Sequence, residues 1–310
     1  MNLDKKIKNK PTWLKEWFTP HESHSHHIKR TLVRKRTPFQ DAIVAESYSF
    51  GKCLILDGEM QSSQHDEFIY HECLVHPALL CHPNPKNILI MGGGEGATVR
   101  ELLKHKTVQK ITMVDIDGDV IEFCKKHLTS WHQGAFKNKR LQLIVGDAKK
   151  FVEETDETFD VIISDLPSPI EGGPAYLLYT IEFYKDLMKR FNPNGVFVMQ
   201  AGSGNLLQFE LHQVLNSTIR HMFKIVRPFY AYVPSFDVPW AFLIGSNTTD
   251  PLRMNQKRTD ALIKKRLRGK LSFYDGVAHV GLFHIPKYLR TRLTAEKRLI
   301  TKDKLIYFYK

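Results

Sequence analysis

Five short apolar runs with helix-compatible stretches between them constrain this chain more than any other feature. They are NILIMG (87–92), KITMVD (110–115), LQLIVGD (141–147), FDVIISD (159–165) and GVFVMQA (195–201). Runs of this length rich in Val, Ile and Met read as strands, and the stretch after each reads as a helix that returns the chain to the same edge. That alternation calls for a mostly parallel sheet with helices on both faces, an α/β domain. Two later β-like runs, KIVRPFYAYV and PWAFLIGS, are placed to close one edge of the sheet.

Upstream the period changes. TLVRKR, AIVAESYSF and KCLILDGEMQSS alternate as short antiparallel strands, with a turn at Gly51–Lys52. DEFIYHECLVHPALLC carries helical spacing and stops before Pro83 and Pro85. These boundaries divide the chain into an N-terminal segment (1–30), a small β domain with a linking helix (31–83), a catalytic domain (84–250) and a basic C-terminal extension (251–310) of one or two helices. In the first segment His21, His24, His26 and His27 raise the possibility of metal binding. No cysteine or carboxylate cluster accompanies them in sequence, so no metal is expected.

Composition excludes several classes. No apolar run nears the ~20 residues that span a bilayer, and the first residues lack an apolar leader core, so the expected address is the cytoplasm, with no membrane partner. Cys53, Cys73, Cys81 and Cys124 have neither CxxC nor metal-ligand spacing and read as free thiols. The net charge of +12 is spread along the chain with its densest runs near the ends, which reads as a solvated surface and not as a nucleic-acid site.

The chemistry sits at the strand ends. The first parallel strand runs into Gly92-Gly93-Gly94-Glu95-Gly96, a turn that lets backbone approach a nucleoside. The second ends in Asp115, spaced to bond both ribose hydroxyls, and the third in Asp147-Ala148, where a carboxylate could accept from an adenine amino group. Glu95 sits where a dinucleotide's pyrophosphate would lie and would repel it. It would also disfavour the carboxylate of S-adenosylmethionine, and would favour a tail ending only in ammonium. A solvent-exposed turn residue is the alternative reading. The fourth strand ends in Asp165, followed by the Pro- and Gly-rich segment Leu166-Pro167-Ser168-Pro169-Ile170-Glu171-Gly172-Gly173-Pro174, an active-site loop over 166–178. A carboxylate there suits proton removal from an attacking amine; a helix N-cap is its structural alternative.

From Thr37 to Ser203 the chain closely resembles the spermidine synthase (polyamine aminopropyltransferase) family, on TPFQD, LILDGEMQSS, DEFIYHECLVHP, MGGGEGATVRELLKH, MVDIDGDVIEFCKKH, VGDA and SDLPSPIEGGPAYLLYT. The Asp-Leu start of the loop, the Glu in the Gly-rich motif and WHQGAF (131–136) resemble the branch with agmatine or triamine aminopropyltransferases and thermospermine synthases. The resemblance implies a Rossmann-like, methyltransferase-type sheet behind a small antiparallel β domain, and a homodimer or homotetramer. It implies decarboxylated S-adenosylmethionine as co-substrate with no tightly bound cofactor, and a polyamine as acceptor. It implies that Gln40, Gln61, Gly92, Gly94, Glu95, Asp115, Asp147, Ala148 and Pro174 bind the co-substrate, Glu95 by gripping the aminopropyl ammonium. Tyr70 and His71 would meet the acceptor, Gln200 would line its channel, and Asp165 would take the proton.

Two departures bear on the acceptor. Ser168 stands where the family usually has a second aspartate, three residues after the base, and Phe236 stands where many members have Tyr. Asp237, next to Phe236, is a candidate to compensate. An S-adenosylmethionine methyltransferase is the nearest rival, since such enzymes share these strand-end acids. A catalytically weak homologue that binds polyamine or methylthioadenosine is the second.

Overall fold

The computed structural model describes residues 12–173 and 175–308. The expected parallel strands form with nearly the expected bounds, because each is an apolar run stopped by a charged or glycine-rich turn. They are β6 (Asn87–Gly92), β7 (Lys110–Asp115), β8 (Leu141–Val145), β9 (Phe159–Asp165) and β10 (Phe191–Ser203). Antiparallel β11 (Ile225–Val233) and β12 (Val238–Ser246) close one edge, giving the order β11-β12-β10-β9-β6-β7-β8. The chain starts in β6, moves outward through β7 and β8, then returns to β9 on the other side of β6. The crevice between β6 and β9 is therefore the topological switch point, where open α/β sheets bind ligands. Gly92 and Asp165 are paired across it.

Helices α1 (Glu67–Cys81), α2 (Ala97–Lys104), α3 (Gly118–His127), α4 (Thr129–His132), α5 (Ala148–Glu154), α6 (Ile181–Met188) and α7 (Glu210–Arg220) cover the sheet. Two apolar clusters fill the layers: one under α1 and α2 around Leu74, Leu79, Ile90 and Phe242, the other under α6 and α7 around Phe183, Phe197 and Leu215. The C-terminal region holds three helices, α8 (Gln256–Arg266), α9 (Gly276–Leu282) and α10 (Lys287–Ala295), one more than its sequence suggests. The carboxylate of Glu72 in α1 holds this region in place by accepting the backbone amides of Ser272, Phe273 and Tyr274 at 2.8–2.9 Å.

The N-terminal sheet starts earlier than residue 31. It has five antiparallel strands in sequential order, β1 (Thr12–Thr19), β2 (Glu22–Arg36), β3 (Asp41–Ser47), β4 (Gly51–Leu56) and β5 (Glu59–Ser63). β1 and the first half of β2 thus belong to the sheet. Their alternation is hard to read because the inward-facing positions of β2 include His26 as well as Ile28.

Three polar ties lock this sheet to the larger domain. Thr37 Oγ1 and Gln40 Nε2 donate to buried Asp117 at 2.6 and 3.0 Å. Ser62 donates to Glu95 at 2.6 Å. Asp66 accepts from Ser63, and from both the amide and the hydroxyl of Ser235 at 2.6 and 2.9 Å. The last tie sets the turn that carries Phe236. Among the described residues no helix is long and apolar enough to cross a membrane, and all four cysteines are free.

Candidate active site

Two connected cavities meet at the switch point. The first, about 990 Å³, lies against the C-terminal ends of β6 to β9. Its walls include Gln40, Gln61, Gly92, Gly93, Gly94, Glu95, Asp115, Asp147, Ala148 and Asp165. Sequence motifs scattered over more than a hundred positions thus converge because four strands end side by side. Among the described residues the lining carries four carboxylates and no Lys, Arg or His, on a chain with net charge +12. Such a wall suits a cationic ligand and opposes a pyrophosphate.

The glycines are required by contact. Gly92 has φ +82°, and a Cβ there would lie 2.3 Å from the carbonyl oxygen of Asp165. At Gly94 a Cβ would lie 2.9 Å from Asp115 Oδ2. Any side chain would push apart the strand tips that form the site. Burial raises the Asp115 carboxyl to about 6, against the backbone amide of Asp117 that it accepts at 2.9 Å. Asp147 caps α5 by accepting the Lys149 and Lys150 amides on Oδ1, so its helix-capping and pocket-lining places coincide.

Asp165 lines the first cavity at the tip of β9. Its Oδ1 accepts from the Tyr70 hydroxyl at 2.8 Å and its Oδ2 from the Thr98 hydroxyl at 2.5 Å. Burial raises its pKa; His71 and the two hydroxyls pull it partly back, and the net direction is up. Burial and the neighbouring Asp165 also push the Tyr70 phenol well above its ordinary value, so Tyr70 remains a donor. Each carboxylate oxygen keeps a second lone-pair direction for an amine. Thr98 is absent from the sequence-based candidates. Its signal was a hydroxyl in the first turn of the helix after the Gly-rich motif, the turn that faces the neighbouring strand end.

Glu95 projects into the same cavity and is held from behind. His71 Nε2 approaches its Oε1 at 2.5 Å and Ser62 donates to its Oε2, while Trp131 Nε1 donates to Ser62 at 2.9 Å. His71 is expected at the acceptor junction, yet it is 1% exposed and lines neither cavity, because it is sandwiched between Glu95 and Glu67. Burial opposes charge on His71, but these two carboxylates outweigh it and raise its pKa well above the ordinary value. Arg100, paired with Glu67 at 2.7 Å, completes the row. His71 thus backs Glu95 and lines neither cavity.

The second cavity, about 630 Å³, continues from the first past Gln61, Tyr70, Leu166 and Pro167. Its walls are mainly aromatic and apolar, with Phe18, Phe236, Trp240 and Phe308 beside Ser168, Gln200, Glu16 and His24. Phe236 and Trp240 meet edge-on at 4.8 Å. Gln200 lines this cavity, but its amide is committed: Nε2 donates to the Leu166 carbonyl at 2.8 Å and Oε1 accepts the Gly202 amide at 2.9 Å. It holds the start of the loop. Asp237 does not line this cavity. It sits at φ +54° after a tight turn, accepts the Tyr232 hydroxyl at 3.0 Å, and faces a different surface hollow. Pro174 lies outside the described residues.

Most of the chain is matched by known families. A family model described as the spermine/spermidine synthase domain matches residues 67–255, and one described as the spermidine synthase tetramerisation domain matches 12–64. The chain belongs to the spermidine synthase family. It is similar to the polyamine aminopropyltransferase of Sulfolobus acidocaldarius, with 49% identity covering 94% of this chain and 96% of that one. It is also similar to polyamine aminopropyltransferase 2 of Hyperthermus butylicus, with 44% identity over 94% and 95% of the two chains.

Among solved structures, a spermidine synthase in complex with the transition-state analogue AdoDATO superposes with TM-score 0.84 at 27% identity, covering 93% of this chain and 97% of that one. The spermidine synthase of Thermotoga maritima superposes with TM-score 0.83 at 26% identity, covering 96% and 100%. This family member is accordingly a polyamine aminopropyltransferase with a methyltransferase-like sheet and decarboxylated S-adenosylmethionine as its co-substrate. The match to a tetramerisation domain makes it an oligomer-forming chain.

Proposed function

We propose that the acceptor is a short polyamine (putrescine, agmatine or spermidine) and that Asp165 removes the proton from its attacking amine. The observation that carries this reading is the position of Asp165. It is a buried carboxyl of raised pKa at the step between an acidic nucleoside-shaped cleft and an aromatic-walled chamber.

An ammonium with pKa near ~10 has no lone pair, so the attacking nitrogen must be deprotonated first. Asp165 takes that proton, and the nitrogen attacks the aminopropyl carbon next to the sulfonium. The new N–C bond forms as the C–S bond breaks, with its electron pair returning to sulfur. The leaving group is neutral methylthioadenosine, so no general acid is needed. Tyr70 and Thr98 orient the two carboxylate oxygens, which fixes the in-line geometry. Gln40, Gln61, Gly92, Gly94, Asp115, Asp147, Ala148 and Pro174 are assigned to the nucleoside. Glu95 is assigned to the aminopropyl ammonium, which can use the lone pairs left free by His71 and Ser62. Ser168, Phe236 and Gln200 are assigned to the acceptor side.

The working form we propose is a cytoplasmic homodimer or homotetramer without nucleic-acid or membrane partners. The test of the reaction is mass spectrometry of the purified protein with decarboxylated S-adenosylmethionine and, separately, putrescine, agmatine, cadaverine and spermidine. Methylthioadenosine together with an acceptor heavier by one aminopropyl unit is the expected result. Tight methylthioadenosine binding without product from any amine would instead mark a catalytically silent homologue.

A further inference from the structure

The histidine-rich start of the chain acquires a carboxylate once it folds. β1 and β2 form a hairpin in which Glu16 is directly opposite His24, and His26 lies two residues further along the same face of β2. Neighbouring His27 points the other way and stacks on Trp13 at 4.6 Å. One carboxylate and two imidazoles therefore face a common point. Glu16 Oε2 lies 3.0 Å from His24 Nε2 and 3.5 Å from His26 Nε2, and one donor atom from each residue falls within 4.8 Å of the others. Ligands about 2.0–2.1 Å from a tetrahedral zinc are separated by roughly 3.3 Å, so these spacings bracket what an ion needs.

Two further observations point the same way. His26 is 8% exposed, and its Nε2 has no polar neighbour besides the long 3.5 Å approach to Glu16. The other oxygen of Glu16 accepts the Met60 amide at 2.9 Å, which holds the carboxylate in place as outer partners of metal ligands do.

We propose that Glu16, His24 and His26 form a site for a divalent late transition metal ion of the zinc class, and that the bound ion closes the acceptor chamber to amines. Two imidazoles and one carboxylate leave a fourth position open. Glu16 and His24 line the chamber assigned above to the acceptor, and the gating half of the proposal rests on that assignment. A divalent ion adds positive charge to a chamber wall that carries the Glu16 carboxylate. A polyamine is a multiple cation, so the occupied site repels the substrate class that the vacant one attracts. The nucleoside cleft, lined by other residues, is unaffected.

The test uses the full chain. Zinc is titrated by calorimetry and Co²⁺ is followed by its visible absorption, in wild type, His26→Ala and Glu16→Gln. One ion per chain is expected, with affinity lower by at least about 100-fold in either variant. Initial rates at varied amine and zinc should show the apparent acceptor KM rising with zinc, kcat unchanged and methylthioadenosine affinity unchanged. His26→Ala should lose this zinc sensitivity, and near-wild-type circular dichroism checks that it folds. Metal binding that is absent, or that survives both substitutions, overturns the site. Binding lost in both variants while rates ignore zinc keeps the site and overturns the acceptor assignment of the chamber. A raised acceptor KM in metal-free Glu16→Gln, with no ion bound by wild type, would show that the trio anchors the amine directly.

Discussion

The two cavities contrast in construction. The nucleoside cleft is made of consecutive strand ends, each delivering one group in chain order: Gly92 to Glu95, Asp115, Asp147 and Asp165. The acceptor chamber is assembled from Glu16 and His24 in β1 and β2, Ser168 in the loop, Phe236 and Trp240 around the β11–β12 turn, and Phe308 near the C-terminus. The first is set mainly by where the strands of one sheet end. The second depends on how several peripheral segments dock. On the proposed assignment the co-substrate is held by strand ends of one sheet, and the acceptor by segments that come from several peripheral elements.

The largest expected effect falls where the cavities meet. Asp165→Asn should lower turnover by about 10³-fold, within the range for loss of a general base, while methylthioadenosine affinity measured by calorimetry stays within about twofold. Turnover within a few-fold of wild type would remove Asp165 as the base and dissolve the division between a binding half and a reacting half. The next effect belongs to the cleft alone. Asp115 is raised to about 6, so it ionises as pH rises through that value, and only the carboxylate accepts from both ribose hydroxyls. Methylthioadenosine affinity should fall about tenfold between pH 7.5 and pH 5, and Asp115→Asn should flatten the profile.

Stability carries the opposite sign. A carboxyl raised from 3.8 to about 6 stabilises the fold below its unfolded value and loses that contribution as pH climbs through about 6. The gain in Tm from added methylthioadenosine should therefore be larger above pH 6 than below it.

This contrast also sorts what could be read in the sequence. The parallel strands, the closing pair β11 and β12, and the acids at the strand ends were legible because hydrophobic period and turn chemistry are local. The strands of residues 12–30 were not, since pairing Glu16 with His24 is a fact about a hairpin and not about either run. His71 was misplaced for the same reason: its neighbours Glu67 and Glu95 come from one helical turn and from a distant loop, and they bury it. Gln200 and Asp237 illustrate the limit of adjacency: Gln200 lines the second cavity with its amide already committed to backbone groups, and Asp237 is taken by the Tyr232 hydroxyl outside it.

Thr98 tests whether the junction is as finely set as its hydrogen bonds suggest. Its hydroxyl lowers the Asp165 pKa against burial. Thr98→Val removes that donor, so the Asp165 pKa should rise further and the acidic limb of the kcat profile should move to higher pH. At neutral pH kcat should drop about fivefold, the scale of one neutral hydrogen bond. A merely structural role would lower kcat without moving the limb.

The smallest effect should come from the acceptor side. Ser168 lines the chamber at the start of the loop, in a wall where aromatic side chains alternate with Glu16, Glu59 and His24. An aspartate there would add a second carboxylate near Asp165, attracting a short diamine whose two nitrogens lie close together more than a long one whose charge is spread. Ser168→Asp should therefore raise relative kcat/KM for putrescine over spermidine by about threefold, with methylthioadenosine affinity unchanged, since one partly solvated ion pair contributes less than about 1 kcal/mol. The measurement is relative kcat/KM across an amine panel in competition. Equal ratios in the two proteins would take Ser168 out of acceptor choice and leave it with Glu16, Phe236 and Trp240. A change in methylthioadenosine affinity of similar size would mean that the cavities are coupled through the loop, and that the division between a fixed cleft and a variable chamber is drawn in the wrong place.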